Sequence, residues 1–269
     1  SAIEYTLMRT TMSLRKQACR SLTFTLLFGT LFPCNAQNKD HMPTICILGG
    51  TPSTKHIIQL VPDSLRARYR IISFDRPGFG TNENTSLDTQ SLEELAQEAG
   101  VRRGDFGIIG ISGGAPLALY LASKYQMDHC GIINGMVAKE SYFQYADSTI
   151  TKGLMIGVLE GYTSFAAAAN KFPNLNKIVQ ISGAESKEKA LWACYREFRF
   201  LFSDDLHAGI ENTTLAVDWW HGDRDTHVPL ESAQHFLQDY GNARLTIIPD
   251  AGHDVDLNTY IAKIISNWE

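Results

Sequence analysis

The sequence predicts an α/β chain: a mostly parallel sheet with helices on both faces and a helical insertion. Three observations carry that expectation. From about residue 44 onward, short apolar segments with strand character alternate with helical segments, and such alternation builds a parallel sheet covered on both sides. Between Val137 and about Asn212 the strand rhythm stops and the chain turns helical and rich in aromatics. Around residues 105–122 an apolar strand runs into a serine bracketed by glycines and then into an alanine-rich helical run.

In chain order, strands are expected near 44–49, 69–74, 106–111, 130–135, 214–221 and 244–248, with helices near 53–66, 88–99, 114–126, 230–240 and 256–268. Inside the insertion, Ala166 to Ala169 and the run from Glu185 to Phe202 read as helices, with Pro173 and Gly183 as breaks. Leu191, Cys194, Tyr195, Phe198 and Phe202 recur at helical spacing, which marks one apolar face. The length of 269 residues with 44% hydrophobic content is enough for one sizeable core with one inserted subdomain. The division is core 1–136, helical insertion 137–212 and core 213–269.

Gly110-Ile-Ser112-Gly-Gly114 is a strand-to-helix turn that presents one hydroxyl above the end of a sheet. Small neighbours let strand and helix pack around so sharp a turn, and the free N–H of Gly113 at the helix N-terminus can donate to an oxyanion. The bland alternative is a Gly-rich turn. A serine hydroxyl needs a base to take its proton and an acid to hold that base in the right tautomer. Asp225 follows a strand in Gly222-Asp-Arg-Asp225-Thr-His-Val-Pro229, and His253 lies on the loop after the strand Ala243 to Ile248. Serine, acid and histidine thus each follow a strand, in that order. Asp223 is a rival acid, His221 and His227 are possible pocket residues, and Asp254 and Asp256 fit solvent or a helix start.

From about Thr44 to its end the chain resembles the α/β-hydrolase superfamily, in its capped, esterase-like serine hydrolases. Ile45-Cys-Ile-Leu-Gly49-Gly50-Thr51-Pro52 resembles the strand and His-Gly-Thr-Pro loop of one branch, and Asp75-Arg-Pro-Gly-Phe-Gly80 resembles the turn after its next strand. The resemblance implies an oxyanion hole from Gly50, Thr51 and Gly113, with the Thr51 N–H as second donor, and makes segment 137–212 a cap. Gly49 stands where the branch has histidine, and Thr81-Asn82 follows Gly80 where a charged residue and serine are more frequent. Asp75 and Arg76 read as a structural loop pair, with a second reading at the pocket edge. Halide-cleaving and epoxide-opening relatives carry a carboxylate where this chain has Ser112.

The implied activity is hydrolysis of a carboxylic ester with an apolar acyl or aromatic group, through an acyl-enzyme. The alternatives are an aminopeptidase or amidase, with Glu140, Glu160 or Glu185 as amine partner, a carbon-carbon bond hydrolase, a perhydrolase, and a non-catalytic receptor. A net charge of -5, a pI near 5.9 and the lack of a Lys/Arg cluster argue against a nucleic-acid surface. Gly49-Gly-Thr-Pro-Ser-Thr-Lys lacks Walker spacing, and His, Cys and acidic residues miss zinc and calcium spacings, so no cofactor and no metal are expected. The five cysteines have no paired spacing, and Cys46, Cys130 and Cys194 read as buried thiols.

The N-terminal segment supports two readings. Thr11 to Lys16 and Ser21 to Phe28 fit the antiparallel hairpin that family members carry, which favours a cytoplasmic protein. Arg15, Lys16 and Arg20 before the apolar run Leu22 to Phe32, with Cys34-Asn-Ala36 after it, fit a signal peptide over 12–36 and an exported protein. That run is too short for a stable membrane span. Oligomeric state is not encoded in any recognisable pattern.

Overall fold

A computed structural model describes residues 42–84, 86–172, 175–210, 215–238 and 240–269. The hairpin and signal-peptide alternatives, with Cys19 and Cys34, lie outside the described residues. Among the described residues, strands Thr44–Leu48 (β1), Arg70–Ile72 (β2), Gly107–Ile111 (β3), His129–Ile133 (β4), Val217–Gly222 (β5) and Ala243–Ile248 (β6) form one sheet in the order β2-β1-β3-β4-β5-β6. Every neighbouring pair is parallel. The chain leaves β1 for the edge strand β2 and returns on the other side with β3. The carboxyl ends of β1 and β3 therefore flank a topological switch point, where α/β sheets form their ligand crevices.

Both β1 and β3 are buried along their whole length, as their near-continuous apolar sequences require. Side chains alternate between two layers of core. Cys46, Leu48, Ile108, Ile132 and Trp219 face one layer, covered by helices Thr89–Ala99 (α2), Gly114–Tyr125 (α3) and Leu230–Leu237 (α10); Ile45, Ile47, Ile109 and Ile133 face the other, covered by Asp63–Arg66 (α1) and Leu257–Trp268 (α11). Helix α2 starts in a capping box between Asp88 and Ser91 and stops at Gly100, at φ 97.

The helix expected over 53–66 is broken. A 3-10 turn at Lys55–Leu60 is followed by the separate α1, and Pro62 caps α1 with Val61 extended before it. A proline keeps its predecessor out of the helical region, so Pro62 divides the segment. The strand expected at 69–74 is shorter, the helix expected at 230–240 ends at Leu237, and β5 begins at Val217.

Between β4 and β5 the chain is helical: Lys139–Tyr145 (α4), Lys152–Glu160 (α5), Tyr162–Ala169 (α6), Leu175–Ser182 (α7), Lys187–Leu201 (α8) and Asp204–Ala208 (α9). Ser186 caps α8 by accepting from the Lys189 N–H. The apolar face expected on α8 is present, with Leu191, Cys194 and Tyr195 buried. Tyr162 stacks on Trp192 at 3.6 Å, which joins α6 to α8. Among the described residues, no helix is long and apolar enough to cross a membrane.

Candidate active site

Ser112 follows β3 with φ 50, a left-handed conformation that a serine adopts only under constraint. Backbone bonds impose it: the Ser112 N–H donates to the Ile133 carbonyl (3.0 Å), and the Ser112 carbonyl accepts from Ala115 (3.0 Å) and Met136 (2.9 Å). The flanking glycines are required by close approach. A Cβ on Gly110 would lie 2.7 Å from the Ala118 Cβ, and one on Gly114 would lie 2.3 Å from the Leu48 carbonyl oxygen. The turn thus lets α3 sit against β1 and β3 while it raises the serine.

The three chemical candidates meet. His253 Nε2 lies 2.9 Å from Ser112 Oγ, and His253 Nδ1 lies 2.8 Å from Asp225 Oδ2. The other carboxylate oxygen, Oδ1, accepts the N–H groups of His227 (2.7 Å) and Val228 (3.0 Å). Those bonds fix which oxygen faces the histidine. Asp225 therefore imposes a proton on Nδ1 of His253 and leaves Nε2 as acceptor toward Ser112. Burial alone would raise the Asp225 pKa, but the two histidines against its carboxylate, His221 and His253, outweigh it and hold the carboxylate well below its ordinary range.

His221 and His227 take different places. His221 is fully buried at the end of β5; its Nδ1 accepts from Trp219 Nε1 (3.1 Å), so its Nε2 carries the proton and donates to the Val228 carbonyl (2.9 Å), 3.4 Å from Asp225 Oδ2. It backs the acid and does not line the cavity. His227 does line it, with its ring 4.5 Å from that of His253 and no partner for Nδ1 among the described residues. Burial, aided by repulsion from His253, lowers the His227 pKa below its ordinary value and favours the neutral ring. Asp223 and Asp254 are exposed, and Asp256 stands at the N-terminus of α11, accepting from the Thr259 hydroxyl.

Among the described residues, the N–H groups of Thr51 and Gly113 enter no hydrogen bond with the protein. They lie close together, since a Cβ on Gly113 would fall 2.2 Å from Thr51 Oγ1, and Gly50 abuts Ser112, where its own Cβ would come within 2.9 Å of the serine Cβ. Asp75 holds the next loop, accepting from the N–H groups of Lys55 (2.7 Å) and Thr81 (3.1 Å). Arg76 does not pair with Asp75; its guanidinium turns inward to Glu197 and the Gly50 carbonyl.

Two polar residues of this region escape a reading of motifs. Asn134, at φ 47 after β4, donates to the His253 carbonyl (2.7 Å) and accepts the Gly222 N–H (2.8 Å), which ties the histidine loop to the strand that carries the acid. Glu197 is buried on α8 against the Thr51 loop. Its position three residues after Cys194 and four before Leu201 puts a carboxylate on an apolar helical face, a signal available in the sequence.

Ser112 and His253 open on a cavity of about 540 Å³, walled by apolar side chains such as Ile57, Met155, Phe165, Phe172, Leu191 and Phe198. Leu60, Ile150 and Ile181 line it and are also exposed, giving the mouth an apolar rim. Cys194 reaches the wall, but burial pushes its thiol pKa far up and leaves it protonated. Glu140, Glu160 and Glu185 do not line the cavity. Asp225, His227 and His253 bring donor atoms within 4.8 Å of one another, as a metal site would. Both Asp225 oxygens are, however, already engaged by N–H groups, Oδ1 by the backbone of His227 and Val228 and Oδ2 by His253.

Residues 48–259 match the family model described as "Alpha/beta hydrolase family". The chain is 26% identical over 235 residues to a pimeloyl-[acyl-carrier protein] methyl ester esterase of Nitrosomonas europaea, covering 78% of this chain and 88% of that one. An esterase from a Rhodococcus species superposes with a TM-score of 0.62 at 14% identity, over 86% of this chain and 91% of that one. A 2-hydroxy-6-oxo-6-phenylhexa-2,4-dienoate hydrolase, also from a Rhodococcus species, superposes with a TM-score of 0.55 at 16% identity, over 84% of this chain and 90% of that one.

Proposed function

The chain belongs to the alpha/beta hydrolase family, and from that membership we propose that it is a serine hydrolase cleaving carboxylic esters whose acyl or alcohol part is apolar. The strongest support is the hydrogen-bonded series Ser112, His253, Asp225, at 2.9 and 2.8 Å, at the floor of an apolar cavity. The methyl ester esterase relative agrees with an ester as substrate.

In this reading Ser112 Oγ attacks the acyl carbon as its proton passes to His253 Nε2. Asp225 keeps the resulting imidazolium oriented and stabilises its charge. The oxyanion is held by the N–H groups of Gly113 and Thr51. His253 then protonates the leaving alcohol, and water, activated by the same nitrogen, releases the acid from Ser112. No step calls for a cofactor. Helices α4 to α9, within 137–212, serve as the cap, and the cavity they help to wall excludes water from the acyl-enzyme.

The test is the hydrolysis rate of p-nitrophenyl esters from acetate to decanoate by the wild type and by Ser112→Ala. Ester turnover by the wild type that is lost in the variant is the expected result. A folded wild type inert toward the whole series would overturn the ester reading.

A further inference from the structure

Arg76 and Glu197 are each 1% exposed and form an ion pair between the loop after β2 and the inserted helix α8. Burying two charges is costly unless every lone pair and proton is used. Here Nε and Nη2 of Arg76 and both oxygens of Glu197 have partners, and those partners are informative. Glu197 Oε2 accepts from Arg76 Nε (3.0 Å); Glu197 Oε1 accepts from Arg76 Nη2 (2.9 Å) and from the Thr51 hydroxyl (2.5 Å). Arg76 Nη2 also donates to the Gly50 carbonyl (3.0 Å), and the guanidinium lies over the Phe79 ring at 5.6 Å. One charged pair thus grips two successive residues of the loop that faces Ser112.

The loop has little else to hold it. Gly49 and Gly50 carry no side chain, and Gly49 leaves no room for one, since a Cβ there would lie 2.2 Å from Ser53 Oγ. The peptide between Gly50 and Thr51 carries the Thr51 N–H. Its carbonyl end is fixed by Arg76, and the residue that bears its N–H is fixed through the Thr51 side chain by Glu197. An amide pinned at both ends is preorganised, which is what stabilising a developing oxyanion requires.

We propose that Glu197 and Arg76 are positioning residues that clamp the Gly50–Thr51 peptide of the oxyanion hole, so that the second donor is set by the docking of α8. The inference rests on the serine hydrolase reading above. Neither residue lines the cavity; Glu197 acts through the Thr51 side chain and Arg76 through the Gly50 carbonyl.

The test compares Thr51→Val, Thr51→Ser and Glu197→Gln with the wild type, in kcat and KM for a p-nitrophenyl ester and in the affinity of an aryl trifluoromethyl ketone, which forms an oxyanion on the serine. Thr51→Val spares both partners of the buried ion pair and should keep the fold. It should lower kcat at least tenfold with KM within twofold and weaken the ketone by a similar factor. Thr51→Ser, which retains the hydroxyl, should recover most of that loss. Glu197→Gln should act in the same direction, and Thr51→Val with Glu197→Gln should lose no more than the worse single variant, because both cut one linkage. Thr51→Val with kcat and ketone affinity within twofold of wild type, or losses that multiply in the double variant, would overturn the clamp. In that case the wild type would still show turnover that depends on Ser112, so the hydrolase reading would stand. Absence of that turnover from the wild type would overturn both.

Discussion

Asp225→Asn replaces one carboxylate oxygen by an amide nitrogen at nearly constant volume. The side-chain oxygen must stay where Oδ1 is, because two backbone N–H groups point at it from 2.7 and 3.0 Å. The new NH₂ group then faces His253 Nδ1 at the 2.8 Å separation of the present bond. Nδ1 must become an acceptor, and the ring proton moves to Nε2, where it points at Ser112 Oγ, 2.9 Å away. A base protonated on the side that should receive a proton cannot activate the serine. The same exchange in a serine protease triad lowers kcat about 10⁴-fold, equivalent to about 5.4 kcal/mol at about 1.36 kcal/mol per factor of ten. A loss of that order is expected here, measured as kcat on p-nitrophenyl butyrate at pH 7.5 with a thermal melt to show that the variant folds. Asp223→Asn, two residues earlier on the exposed side of the turn, should stay within threefold of wild type. The reasoning fails if Asp225→Asn keeps more than a tenth of wild-type kcat, or if Asp223→Asn loses as much.

Glu197→Ala would leave Arg76 buried without its partner, at a cost of about 3–5 kcal/mol, or a fall in melting temperature of about 6–20 °C for a domain of this size; Arg76→Met with Glu197→Leu should regain most of it, and a single variant melting within 2 °C of wild type would refute the estimate. His227 has a pKa lowered by burial, so the unfolded chain takes up the proton first. The stability it contributes is complete above its ordinary value of about 6.5 and is lost as pH falls through that value toward the folded one. The melting temperature of His227→Phe relative to wild type should therefore rise between pH 8 and pH 5, and a constant difference would contradict this. Ile178→Trp would place a larger group on the cavity wall, and the ratio of kcat/KM for octanoyl over acetyl p-nitrophenyl ester should fall about tenfold; an unchanged ratio would place the acyl chain elsewhere.

The sheet and the relay were legible because their signals are local. Ser112 directly follows a strand, and Asp225 and His253 lie on the loops just after theirs; each strand's apolar run can be read from a few residues, and the glycines around Ser112 report a steric requirement of the turn. The break at Pro62 was also local, but a proline is compatible with the first position of a helix as well as with its interruption. Most of the insertion was not legible. Helix α4 packs on α10, α5 on α6 and α8, and α7 on α8, and their sequences give few boundary signals. Asn134 and Glu197 were silent for a different reason. Asn134 joins positions 118 and 119 residues away, and Glu197 joins Thr51 across 146 residues, so no local spacing records their partners. What the sequence could offer for Glu197 was only an oddity, a carboxylate on an apolar helix face.

The central claim, that Ser112 is a nucleophile activated by His253, is tested most directly by reacting the protein with a fluorophosphonate and mapping the adduct by peptide mass spectrometry. The account predicts a single phosphonyl adduct on Ser112 in the wild type, none in Ser112→Ala, and labelling slowed at least a hundredfold in His253→Gln. An adduct on another residue, or a folded wild type that takes up no label, would contradict it.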